Sequence, residues 1–127
     1  MLHDLLIQYL GDVEAAIRSI ENGYVERYEE EILPVNHVNL RVRVRFPNGY
    51  LLELNEAVIM ESGHIKHLGY RYHFQDGKNN IIFRYDNTPH FPELKTFPHH
   101  KHLPDRVIES DEPSIIKVIE EAKLSTK

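Results

Sequence analysis

Three histidines fall within four positions, His99, His100 and His102, inside the stretch TPHFPELKTFPHHKH at residues 88–102. With His90, this stretch holds four of the nine histidines of a 127-residue chain. Side chains that titrate near neutrality and bind metals rarely crowd together for packing alone. Four readings are open: a metal site, an acid–base site, a phosphate-binding surface, and a polar loop whose histidines cap turns.

In an extended segment His100 and His102 share a face and His99 points away. A His-x-His pair can hold zinc or a similar ion, with His90, His73 or Asp86 completing the coordination. Several features weigh against that. The chain has no cysteine, no H-E-x-x-H helix and no acid at a familiar spacing, and Lys101 places a like charge between the histidines. The expectation is no metal and no cofactor.

Acid–base chemistry fits the residue types better. Attack of a 2′-hydroxyl on an RNA phosphate needs a base, an acid and cations for the phosphorane. His100 and His102 are the expected pair, His73 is a third candidate, and Asp86 would orient a histidine or Arg84. Arg71, Arg84 and Lys101 would contact phosphate, and Tyr72 and Tyr85 could stack bases. No serine sits in a G-x-S-x-G context and no glycine-rich phosphate loop is present. Isolated histidines such as His3, His37 and His64 read as structural.

The elements that must position these groups follow from periodicity. Apolar residues at Leu2, Leu5, Leu6, Tyr9, Leu10, Val13, Ala16, Ile17 and Ile20 form one stripe of a helix that ends at Asn22-Gly23. The period then changes to two. NHVNLRVRVRF alternates strictly, Asn48-Gly49 turns, and YLLELNEAVIME returns, so 37–61 is a hairpin. Strands also read from HIKHLGYRYHFQD and NIIFRYDN, and a less regular one from VERYEEEILPV. Pro89, Pro92, Pro98 and Pro104 argue against a regular central strand over 88–104, leaving a long connection. A last helix follows, with Ser110 or Asp111 as its cap and Pro113 in its first turn. The expected fold is one α+β domain over 1–127: an antiparallel meander of five to six strands with both helices on its apolar face. The other face displays Arg41, Arg43 and Arg45, which are either salt-bridged to cross-strand acids or a phosphate-contacting row.

Charge is unevenly spread beneath a net −5. Residues 1–63 carry 5 Lys/Arg against 11 Asp/Glu, whereas 64–106 carry 7 against 4 and seven histidines. The His-rich middle is cationic inside an acidic chain, which allows a local patch for nucleic acid but no bulk attraction. No apolar run approaches a membrane span and no signal-peptide pattern opens the chain. Together with the missing cysteines, this points to the cytoplasm.

Residues 70–105 resemble the TumE family, toxin components of type II toxin–antitoxin systems. The resemblance rests on Tyr-x-Tyr-His at 70–73, Asp-Gly at 76–77, Phe-Arg-Tyr-Asp-Asn at 83–87, Pro-His at 89–90, Pro-Glu-Leu at 92–94 and Phe-Pro-His-His-Lys-His at 97–102. It extends over about 37–122, and the chain departs from the usual pattern at Phe91, where a second histidine is common. The resemblance implies a small cytoplasmic toxin neutralised by a TumA-like antitoxin with a helix-turn-helix DNA-binding domain. With the residue types, it leads to an expected metal-independent endoribonuclease that inhibits translation. A toxin that only binds and blocks its target, or one that transfers a group, are the alternatives. No membrane partner is expected, and a homodimer stays open.

Overall fold

The computed structural model describes residues 2–126. Its helix α1 spans Asp4–Arg18, and His3 caps it by accepting the Leu5 N–H on Nδ1 at 3.0 Å. Seven strands follow: β1 Tyr24–Leu33, β2 His37–Arg45, β3 Leu51–Glu61, β4 His64–Gln75, β5 Ile81–Asp86, β6 His100–His102 and β7 Val107–Glu109. Helix α2, Ile115–Ser125, closes the chain. All seven strands form one open antiparallel sheet in sequence order.

The alternation read from the sequence sets the two faces. Val38, Leu40, Val42 and Val44 of β2, Leu52 and Leu54 of β3, Tyr72 and Phe74 of β4 and Phe83 of β5 are buried on one side. Leu6, Leu10, Val13 and Ile17 of α1, with Ile115, Val118, Ile119 and Ala122 of α2, cover that side and complete the core. Burying that much apolar surface is the main favourable term in folding. The turns carry the expected residues, with Gly49 at φ +90° and Ser62-Gly63 at +51° and +79°.

Two expectations change. The sheet has seven strands because the 88–104 connection contributes β6 and the residues just after it form β7. The prolines do not prevent this, since Pro98 precedes β6 and Pro104 lies in the turn after it, where Leu103 N–H donates to Arg106 O at 2.7 Å. Helix α2 starts later than expected. Ser114 is its cap, accepting from Lys117 N–H at 3.4 Å, and Pro113 precedes the cap. Strand β1 pairs with β2 but is exposed along most of its length as the sheet edge, which is why Glu30 and Glu31 break no alternation that packing enforces.

Candidate active site on the open face of the sheet

The uncovered face presents two polar rows that the strand register aligns. One runs Arg41, Asn55, Arg71, Asp86, His100; the other runs Arg43, Glu53, His73, Arg84, His102. Residues far apart in the chain thus become neighbours about one strand spacing apart.

Asp86, His100 and His102 converge at the β5–β6 end of these rows. His100 Nε2 lies 2.9 Å from Asp86 Oδ1, His102 Nε2 lies 3.4 Å from Asp86 Oδ2, and the two Nε2 atoms are 3.1 Å apart. His100 Nδ1 sits 2.9 Å from the Pro98 carbonyl, which fixes Nδ1–H as the donor there. Thr88 N–H donates to Asp86 Oδ1 at 3.0 Å. The ring of Phe91 stands edge-on against His100 and His102, with centroids 4.9 and 5.9 Å away. His100 is 1% exposed and Asp86 5%, while the His102 side chain keeps 24%. Burial, with the charge of Arg84, holds the His102 pKa below the usual histidine value, and Asp86 only partly opposes this.

The 88–99 connection holds this arrangement shut. Thr96 Oγ1 donates to His99 O at 2.8 Å and accepts from Ser110 N–H at 3.0 Å, tying the loop to the far side of β7. His99 departs from the trio, as alternation predicts. Its ring stacks on Tyr70 and its Nδ1 is 2.8 Å from the Tyr70 hydroxyl, on the helix side.

Beside this centre, Glu53, Arg71, His73, Gln75 and Arg84 line a cleft of about 550 Å³. A second cleft of about 400 Å³, lined by Arg41, Asn55, Arg71, Asn87 and Thr88, meets it at Asn55 and Arg71. Arg84 Nε–H donates to His73 Nδ1 at 3.2 Å, and His73 Nε2–H then reaches Gln75 Oε1 at 2.9 Å. Burial and the guanidinium charges of Arg84 and Arg71 lower the His73 pKa, so this ring is neutral in a fixed tautomer. Among the described residues, neither Arg71 nor Arg84 forms an ion pair, although Arg71 is the register neighbour of Asp86. Arg43 and Arg45 are different. Glu26 binds both, at 2.7 and 3.1 Å, and Glu53 lies 3.3 Å from Arg43. That part of the arginine row is salt-bridged surface.

Three assigned residues stand elsewhere. Lys101 alternates to the helix side, where its Nζ donates to Glu121 at 2.8 Å and lies over Tyr85 at 4.7 Å. Tyr85 donates its hydroxyl to Glu121 at 2.6 Å on that same side. Tyr72 is fully buried and donates to Glu56 at 2.5 Å. None of the three stands on the open face beside Asp86, His100 and His102. Of the expected acid–base pair, His102 keeps exposed surface and His100 is buried.

Sequence reasoning missed a buried polar cluster on the helix side. Glu56 accepts from Tyr9 and Tyr72 hydroxyls, both at 2.5 Å, and faces His67 Nε2 at 3.1 Å; His67 Nδ1 faces Glu112 at 3.1 Å. Burial first, then the Glu56 charge, drives the pKa of both tyrosines upward, so they stay hydroxyl donors. The signal was available, since Glu56 occupies the same parity as Leu52, Leu54 and Val58.

An open antiparallel sheet, covered by helices on one side and carrying Asp86, His100 and His102 beside Arg71 and Arg84 on the other, makes this a small α+β protein. A family model described as Toxin TumE matches residues 13–123. The chain belongs to that toxin family. Comparison with curated proteins gives no match, and neither does comparison with solved structures.

Proposed function

We propose that this chain is a toxin that arrests growth by cleaving RNA on the open face of its sheet. Membership of a toxin family supports the toxin role and implies a cognate antitoxin; a helix-turn-helix antitoxin and a cytoplasmic site of action complete the reading. No helix among the described residues is long and apolar enough to cross a membrane.

The observation that carries the RNA reading is the pair of unpaired guanidinium groups, Arg71 and Arg84, on cleft walls next to the Asp86–His100–His102 centre. Guanidinium groups left without carboxylate partners in a concave polar site suit phosphate oxygens. Two connected clefts suit a chain of phosphates better than a single compact anion. His102, the partly exposed member, meets the scissile phosphate, while Asp86 and His100 position it. His73 holds Arg84 in place. The proposal is tested by inducing the chain without its antitoxin and sequencing RNA ends. New ends at recurrent positions, appearing before growth stops, are expected; arrested growth with intact RNA would instead favour a toxin that binds and blocks.

A further inference from the structure

We infer that Asp86, His100 and His102 form a binding site for one divalent first-row transition ion of the zinc type. Two of the grounds on which the sequence argues against a metal are a lysine between the histidines and the lack of an acid at a familiar spacing. The fold removes both. Lys101 is turned through the sheet to Glu121, and β5 delivers Asp86 directly opposite His100.

The lone pairs at the centre are placed to receive a cation. His100 gives its Nδ1–H to the Pro98 carbonyl, so a neutral ring has a bare lone pair on Nε2. That lone pair faces Asp86 Oδ1 at 2.9 Å and His102 Nε2 at 3.1 Å. Two lone-pair groups, His100 Nε2 and Asp86 Oδ1, thus face each other, and His102 Nε2 stands within reach of both. The three candidate ligand atoms all fall within 4.8 Å of one another. Ligands about 2.0–2.1 Å from an ion stand about 2.9–3.4 Å apart, from octahedral to tetrahedral angles. The separations here, 2.9, 3.1 and 3.4 Å, span that range.

The surroundings also match a metal centre. A ligating histidine typically gives its other N–H to a carbonyl or carboxylate, which fixes its tautomer; Pro98 does this for His100. Asp86 is the register neighbour of Arg71 and lies next to Arg84, yet its carboxylate is turned to the histidines. Arg84 Nε–H is given to His73 rather than to Asp86. Two imidazoles and one carboxylate favour zinc, iron, nickel or copper over magnesium or calcium, and three protein ligands leave positions open on the side where His102 is exposed. Such an ion polarises a phosphoryl oxygen or activates water. The inference deepens the RNA reading of the same site but is read out separately from it.

The test uses the full chain, made without a histidine tag by cell-free synthesis, stripped with chelator and titrated with Zn2+ or Co2+. One ion per chain is expected, with visible Co2+ absorption bands and a raised melting temperature. His102→Ala and Asp86→Asn should each weaken Co2+ binding at least about 100-fold, while the exposed His64→Ala leaves it unchanged. Folding of each variant is checked in chelator, and the variant that folds decides. A wild-type chain that takes up no stoichiometric ion overturns the inference. Equal binding by a folded His102 or Asp86 variant overturns it too. A chain that cleaves RNA yet binds no ion loses only the metal; one that binds an ion while RNA stays intact loses only the ribonuclease.

Discussion

Lys101 and its two histidine neighbours divide the work of three consecutive residues between the two faces of the sheet. His100 and His102 face Asp86, and Lys101 faces Glu121. Alternation already contained this division, because a strand that puts two histidines on one side puts the residue between them on the other. Replacing Lys101 by Met therefore acts on stability. The ion pair with Glu121 and the cation over Tyr85 are lost while the apolar stem stays, so unfolding in urea should come earlier by about 1 kcal/mol. Growth arrest per folded molecule should not change. A Lys101→Met chain of unaltered stability that no longer arrests growth would return this lysine to the substrate. Arg84 belongs to the opposite case. Arg84→Ala should weaken RNA binding by about tenfold and flatten its salt dependence by roughly one phosphate contact, read by binding assays over a salt series.

Strands β3, β4 and β5 gain their polar site and their apolar core from one pattern. Leu54, Tyr72 and Phe83 point toward the helices as Asn55, Arg71 and Arg84 point away. Tyr72→Phe keeps the ring and deletes the hydroxyl that Glu56 accepts at 2.5 Å. A buried carboxylate missing one donor should cost about 1–3 kcal/mol, measured as a lower denaturant midpoint, with no direct effect on the open face. Most elements were legible in the sequence. The helix stripe, the Asn-Gly hairpin and the parity of β4 and β5 all follow from local spacing. Strands β6 and β7 were not, because three-residue strands between prolines have no stable periodicity of their own and form only where β5 offers an edge to pair with. The site was half legible for the same reason. Its histidines, and Asp86 as a candidate, could be read from residue type, but the 14 positions from Asp86 to His100 become one hydrogen-bond distance only through that pairing. The Pro98 carbonyl could not be read at all.

At the scale of the molecule, His67 ties the two helices to the sheet. It bridges Glu56 on β3 and Glu112 just before α2, while Tyr9 of α1 shares Glu56. Burial alone would lower the His67 pKa, but the hydrogen bond and charge of Glu56, with the charge of Glu112, outweigh it and raise the value. A histidine with a raised folded pKa stabilises fully below its unfolded value near about 6.5 and loses that contribution as pH climbs through the folded value. The urea midpoint of the wild-type chain should therefore fall from about pH 6.5 upward. His67→Gln should start lower and lose that slope. A wild-type midpoint that rises across this window would contradict the charged bridge. The open face asks a different question of the whole molecule, whether its bare side cuts RNA. Wild type and His102→Ala, induced without antitoxin to equal folded levels, should differ in the sequenced ends of cellular RNA. The account predicts new recurrent ends and arrest with wild type and neither with His102→Ala. Intact RNA in arrested wild-type cells, or the same new ends with His102→Ala, would contradict it.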